Sequence, residues 1–199
     1  MKQQTPITAV ILAGGQGSRM GGLDKGWVSL KGEPLVQHVI RAIEPQVDRL
    51  IINANRNLER YRELGFPVVS DSLVGFQGPL AGFLAAMTRI EAGEILTLPC
   101  DGPSIPRDLV ERLASARRRE RSDIAVAHDG KRLQPVYALL PVRLRQSLQD
   151  YLAGGDRKID RWYAQHSVSH VDFSDTPETF ININTPDDRE RLEKGQSAA

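Results

Sequence analysis

The sequence predicts a three-layer α/β/α domain built on a mainly parallel sheet, and three observations carry that expectation. From Ile7 to about Arg121, apolar runs alternate with amphipathic stretches, strand then helix, four times over. The first apolar run empties directly into a glycine-rich loop. Polar residues recur where the runs end, at Asn53-Ala54-Asn55, at Ser70-Asp71 and at Pro99-Cys100-Asp101. Strands joined through helices of this length need right-handed crossovers, so they lie parallel with both faces covered. Their C-terminal ends then share one edge, which is where ligands bind in such sheets.

In chain order, ITAVIL (7–12) is an unbroken apolar run and gives the first strand. PLVQHVIRAIEPQ (34–46) is amphipathic and gives the first helix, RLIINAN (49–55) the second strand, and NLERYREL (57–64) the second helix. PVVS (67–70), GPLAGFLAAMTRIEAG (78–93), EILTLP (94–99) and IPRDLVERLASARRR (105–119) continue the alternation. After Arg121 the pattern changes. DIAVAH (123–128) and QPVYALL (134–140) are short β segments around the turn Asp129-Gly130, followed by helical stretches near 142–152 and 157–165. A mixed, partly antiparallel C-terminal extension is therefore expected. VSHVDF (168–173) and TFININ (179–184) close the β pattern. Thr185-Pro186-Asp187-Asp188 then opens a last short helix: Thr suits the N-cap, Pro the first helical position, and the acids the helix's positive end.

With 199 residues and 40% hydrophobic content, the chain is expected to form one domain over 1–199, large enough to bury about 70% of its unfolded surface. Lys plus Arg number 26 against 25 for Asp plus Glu, so a net charge of +1 gives no global case for nucleic-acid or membrane binding. The start MKQQTP lacks an apolar h-region, and no stretch approaches the ~18–20 apolar residues of a membrane span. A cytoplasmic monomer is the expectation. The single cysteine, Cys100, excludes an internal disulfide and builds no structural zinc site alone.

The loop LAGGQGSRMGGLDKG (12–26) brings bare backbone and two cations, Arg19 and Lys25, into one short segment. Glycines let the chain wrap an anion, because a side chain would hold the backbone off the phosphate oxygens or forbid positive φ. A Rossmann G-x-G-x-x-G would need glycine where Met20 stands, and Walker A would need Gly-Lys-Ser/Thr where Asp24-Lys25-Gly26 stands. The loop is neither, and a structural turn has no use for two cations beside bare backbone. Asp101 ends its strand between prolines and a glycine that delay the next helix. A carboxylate set opposite a phosphate loop needs a cation between them, and Mg²⁺ prefers a few carboxylates plus phosphate oxygens, so Asp101 is the expected metal ligand. Asp before Gly-Pro is also an ordinary turn former. Asp71 suits guanine, whose adjacent N1–H and N2–H donors want an ionised carboxylate, and Asn53 stands beside it; both residue types are equally common at plain strand ends.

Asn182 and Asn184 alternate with Ile181 and Ile183, which puts both amides on one face of a strand, toward an acceptor, the metal or a polar edge. Arg157 and Lys158 form a second cationic loop suited to a second phosphate-bearing substrate, although such runs are usually solvated surface. His166 and His170 have metal-like spacing only in a helix, and their surroundings read as strand. Arg117-Arg118-Arg119 sits late in a helix, where cations complement the dipole.

The segments LAGGQGSRMGGLDKG, NANR (53–56), SDSL with GPLAG (70–82), PCDGPSIP (99–106) and NINTPDD (182–188) together resemble the molybdenum cofactor guanylyltransferases, in family order across nearly the whole chain. The ending Gly-Gly-x-Asp-Lys-Gly at 21–26 is the most specific piece. The resemblance implies a Rossmann-like nucleotidyltransferase fold with a nucleotide-binding half over 1–121 and an acceptor-binding half over 122–190. It implies transfer of GMP from Mg-GTP to the phosphate of molybdenum-molybdopterin with release of pyrophosphate, and transient contact with molybdoenzymes or their chaperones. It carries GTP contacts to Leu12, Ala13, Gly14, Lys25, Asn53, Asp71 and Asp101, with Asp101 also holding Mg²⁺; Gly15 belongs to the same loop. Arg19, Lys25 and Asp101 are the expected catalytic groups, and Asn182 and Asn184 the expected acceptor contacts. One departure is Gly102, where many members carry Thr. Rival readings are a cytidylyltransferase or sugar-phosphate nucleotidyltransferase on the same scaffold, told apart by base choice, and a nucleotide-sensing adaptor without chemistry.

Overall fold

The computed structural model describes residues 5–15, 23–72, 77–183, 185, 188 and 190. In chain order the elements are β1 (Ile7–Leu12), β2 (Ser29–Leu30), β3 (Glu33–Pro34), α1 (Leu35–Ile43), β4 (Arg49–Asn53), α2 (Leu58–Arg62), β5 (Val68–Val69) and α3 (Pro79–Arg89). They continue with β6 (Glu94–Pro99), α4 (Leu109–Glu120), β7 (Ile124–His128), β8 (Leu133–Pro141), α5 (Arg145–Ala153), α6 (Ile159–Tyr163) and β9 (Val168–Asp172). The four expected strand–helix repeats are all present.

Seven strands form one sheet in the order β5-β4-β1-β6-β8-β7-β9. The pairs β5–β4, β4–β1, β1–β6 and β7–β9 are parallel, whereas β8 runs antiparallel to both β6 and β7. Successive residues of a strand point to opposite faces, so an apolar run such as 7–12 needs cover on both sides. Ala9 and Ile11 pack on one face with Val36 and Val39 of α1 and Leu109 and Leu113 of α4. Val10 packs on the other with Leu80 and Phe83 of α3 and Leu148 of α5. This is the expected three-layer α/β/α fold. The C-terminal segment is no appendage, because β8, β7 and β9 extend the same sheet.

Two features differ from the sequence expectation. A small antiparallel hairpin pairs β2 with β3 through Lys31 and Gly32, whose φ angles of 51° and 85° are those a two-residue type I′ turn requires. The strand expected over 179–184 does not form. Pro177–Phe180 makes a 3-10 turn, and 181–183 continues without regular structure. The cause is packing: Ile183 is fully buried against Leu30 and Leu35, and its N–H is taken by the Asp101 carbonyl at 2.9 Å. Asn182 therefore does not sit on a strand face, and Asn184 lies outside the described residues. The expected cap at Thr185 is present, since Asp188 N–H donates to Thr185 Oγ1 at 3.1 Å and Thr185 N–H to Asp188 Oδ2 at 2.9 Å.

From β1 the chain winds outward through β4 to β5, then crosses back through α3 to β6 on β1's other side. The C-terminal ends of β1 and β6 thus border the point where the winding reverses, and a crevice opens there in sheets of this kind. Among the described residues no helix is long and apolar enough to cross a membrane.

Candidate functional site

Parallel pairing brings the polar strand ends together. Leu12 stands opposite Asn53 on one side and Pro99 on the other. Just beyond the strands, Ala13 N–H donates to Asn53 O at 2.7 Å, Cys100 N–H to Leu12 O at 3.1 Å, and Ala54 N–H to Val69 O at 2.9 Å. Leu12, Ala13, Gly14, Gly15, Asn53, Asp71 and Asp101 accordingly share one sheet edge. Arg19 falls in 16–22, outside the described residues. Lys25 returns to the edge in a single 3-10 turn, Lys25–Trp27, and its Nζ donates to Asp101 Oδ2 at 2.8 Å. Cation and carboxylate, 76 residues apart in sequence, meet at the reversal point of the sheet.

Asp101 has little of its carboxylate left open to solvent at the strand end. Its side chain is 10% exposed and that of Lys25 26%. Behind it, a Cβ built on Gly102 would stand 2.0 Å from the Tyr137 hydroxyl oxygen and 3.2 Å from Asn182 Oδ1. The missing side chain at 102 is thus the space that Tyr137 fills. Burial, then the Asp101 charge, push the Tyr137 phenol above its ordinary range, and its O–H donates to Thr179 O at 3.3 Å. Burial likewise raises the Cys100 thiol, which stays protonated and has no nucleophilic character.

Among the described residues no three His, Cys, Asp or Glu side chains gather as a metal cage. One carboxylate, with one oxygen engaged by Lys25, fits a hard cation that takes its other ligands from phosphate oxygens and water, as Mg²⁺ does. His166 bonds Ser147 Oγ at 3.1 Å and is lowered in pKa by burial, and His170 is exposed on β9, so the pair shares no ligand geometry.

On the β4–β5 side, Asp71 is gripped by two amides. Asn53 Nδ2 donates to its Oδ1 at 2.9 Å and Asn55 Nδ2 to its Oδ2 at 2.8 Å, while Asp71 N–H donates to Asn55 Oδ1 at 2.9 Å. Asn53 is buried, wedged where two glycines have no Cβ: one built on Gly14 would approach its Oδ1 to 3.2 Å, and one on Gly82 to 2.4 Å. Sequence reasoning stopped at Asn53 and Asp71. The two-residue period of a strand, which points Asn53 and Asn55 the same way, was the signal for Asn55.

The return of the loop is fastened to α2 and its entry. Asp24, 6% exposed, accepts from Tyr61 Oη at 2.6 Å and Asn57 Nδ2 at 2.9 Å. Arg56 Nη2 donates to Gly15 O at 3.1 Å and to Leu23 O at 2.7 Å, so one guanidinium spans both ends of the segment that contains Arg19. Arg60 lies over the Trp27 ring at 3.9 Å. In the other cationic segments, Arg157 and Arg117 are engaged by protein groups. Arg157 donates to Leu152 O and Asp156 O, both at 2.7 Å, and to Gln77 Oε1, while Arg117 pairs with Glu94 at 2.6 Å.

Comparison with known proteins adds three findings. The family model of the MobA-like NTP transferase domain matches residues 9–171. Molybdenum cofactor guanylyltransferases of Shewanella sediminis and Shewanella woodyi are each 52% identical over 186 residues, covering 94% of this chain and 95% of theirs. The crystal structure of molybdopterin-guanine dinucleotide biosynthesis protein A from Archaeoglobus fulgidus has the same fold, with a TM-score of 0.77 at 23% identity over 94% of this chain and 97% of that one.

Proposed function

Because this chain belongs to the MobA-like NTP transferase family, and within it to the molybdenum cofactor guanylyltransferases, we propose that it transfers GMP from Mg-GTP to the phosphate of molybdenum-molybdopterin and releases pyrophosphate. The observation that carries the reading is the Lys25–Asp101 pair, closed at 2.8 Å where the sheet winding reverses, with Asp71 presented from the neighbouring strand ends. Transfer of a nucleotidyl group needs alignment and charge neutralisation more than covalent assistance.

The triphosphate then lies along the backbone of Leu12, Ala13, Gly14 and Gly15, with its charge met by Lys25 and Arg19. Asp71, bonded by Asn53 at one of its oxygens, accepts the N1–H and N2–H of guanine. Asp101 is the residue to hold Mg²⁺, which when bound would neutralise phosphate charge. The acceptor phosphate attacks the α-phosphorus in line, and Lys25 and Arg19 hold the pyrophosphate that departs. The acceptor falls to the 122–190 half, where Asn182, beside Tyr137 and Gly102, and the ordered Arg157 are the groups nearest this task; Asn184 and Lys158 are assigned with them.

The test is product analysis after incubation with GTP, Mg²⁺ and molybdenum-loaded pterin. The guanine dinucleotide and one pyrophosphate per turnover are expected, with turnover lost in Asp101→Ala. Product formed from CTP in preference to GTP, or full activity in Asp101→Ala, overturns the reading.

A further inference from the structure

We propose that Asn55 is the positioning residue that aims the base-reading carboxylate of Asp71 and couples it to the phosphate loop, which makes it a determinant of nucleobase selection. The inference rests on Asp71 reading guanine. Three hydrogen bonds carry it. Asn55 Nδ2 donates to Asp71 Oδ2 at 2.8 Å, Asn55 Oδ1 accepts from Asp71 N–H at 2.9 Å, and the same Nδ2 reaches Gly14 O at 3.4 Å. The first two close a ring through Asp71's own backbone and carboxylate, so the side chain of Asp71 has no freedom to swing while the ring is intact. The accepted N–H also fixes which way the Asn55 amide faces, which leaves its Nδ2 toward the carboxylate.

An ionised carboxylate has about four acceptor positions. Asn53 takes one on Oδ1 and Asn55 one on Oδ2, so the remaining pair forms an edge with one acceptor site from each oxygen. That edge matches two parallel donors, N1–H and N2–H of guanine, only while the carboxylate plane is held square. With Asn53 alone, the carboxylate would be held at one oxygen and free to tilt about it. Tilting costs the second donor first, and N2–H is the donor that distinguishes guanine from hypoxanthine.

Asn55 and Asn53 differ in how they can be tested. Asn53 is buried against Gly14 and Gly82, so replacing it disturbs the core. Asn55 is half-buried at the strand end and leaves the core intact. Its Nδ2 would stand 2.7 Å from a Cβ on Gly14, so the first glycine of the loop and the base-reading carboxylate bear on the same amide.

The experiment measures Kd for GTP and for ITP, each with Mg²⁺, by calorimetric titration of the full-length protein, together with thermal melts. Wild type is expected to favour GTP, and Asp71→Asn to lose that preference. Asn55→Ala is expected to shrink the GTP-over-ITP ratio about fivefold, the scale of one misaligned hydrogen bond. Asn55→Asp keeps the volume and the acceptor but sets a like charge against Asp71, and is expected to shrink the ratio further. Should the alanine variant not fold, Asn55→Asp carries the comparison. A purely structural Asn55 would lower the melting temperature and leave the ratio untouched. A wild-type ratio in folded Asn55 variants, with Asp71→Asn altered, overturns this proposal and leaves the Asp71 reading standing. A wild-type ratio in Asp71→Asn overturns both.

Discussion

Gly102 is where a single atom decides whether the site can form. Nothing about its backbone demands glycine, yet a Cβ there would stand 2.0 Å from the Tyr137 hydroxyl oxygen, inside any real contact distance. Tyr137 is buried on β8, held between Phe180 at 5.1 Å and the Thr179 carbonyl, and has little room to retreat. Gly102→Ala must therefore shift either that ring or the turn that carries Asp101. A loss of about 1–3 kcal/mol is expected, the range of overpacked cores. Tyr137→Phe removes the oxygen at the contact, so the double variant should be more stable than the sum of the two single losses predicts, by more than about 0.5 kcal/mol. Denaturant unfolding of the four proteins checks this, and strict additivity would place the strain elsewhere. From the sequence Gly102 stands out only as a departure from its relatives' pattern. Its reason lies on a strand contributed from the other half of the chain, and no local pattern links the two.

At the scale of elements, α2 is too short to stabilise itself and has another use. With five residues and an entry residue, Asn57, in the left-handed region at φ 51°, it presents Tyr61 and Arg60 to the loop return while Asn57 and Arg56 reach Asp24 and the loop ends. Arg56 is the member whose loss should separate binding from stability, because it is half-buried at the surface and its bonds to Gly15 O, Leu23 O and Asp24 go to the loop rather than to the apolar core. Arg56→Ala should weaken GTP binding about tenfold, one charged hydrogen bond's worth, while the melting temperature moves little. Arg56→Lys should recover part of the loss, since both carbonyls accept from the one nitrogen Nη2 and an ammonium also carries donors enough for two. Wild-type Kd in the alanine variant would remove Arg56 from the loop's support. The helix itself was legible in the sequence, as were all four strand–helix repeats, because their apolar periodicity is local. The buttressing was not. Asp24 reads as part of a loop motif until Tyr61 and Asn57 are seen to converge on it from a crossover later in the chain. The failed strand over 179–184 has the opposite cause: its alternation was genuine, but Ile183 is drawn into the β2–β3 hairpin cluster, and tertiary burial overrides the pattern.

For the whole molecule, β1, β4, β5 and β6 run parallel, so their C-terminal ends share one edge, which is why the ligand edge could be placed from sequence. Insertion of β8 antiparallel between β6 and β7 could not, since strand adjacency there depends on pairing between distant segments. The two sides of the resulting sheet should respond differently to acid. Arg143 and Ser167 bonds hold the Asp123 carboxyl down at about 2, against an ordinary 3.8. Asp156, bonded first by the Lys158 N–H and then by Arg161, is also held low, as are Asp172 by Ser174 and Asp175 by Arg112. Of these, Asp123, Asp172 and Asp175 lie around the β7–β9 side. A carboxyl depressed in the folded state contributes stability that is complete above its unfolded pKa and disappears as pH falls through the folded one, so these contributions begin to fail below about pH 4. Glu94, at the start of central strand β6, has the opposite sign: burial raises its pKa, so protonation favours the folded form there. Acidification should therefore loosen the sheet from its β9 edge inward. Hydrogen exchange compared at pH 7 and pH 3 is expected to show protection falling first in peptides covering 122–128 and 167–172, with 8–12 and 49–53 retained. Asp123→Asn at pH 7 should reproduce part of that loss, and its difference from wild type should vanish toward pH 2. A uniform loss of protection, or one that starts at β1 and β4, would mean that acid acts on the sheet as a single unit.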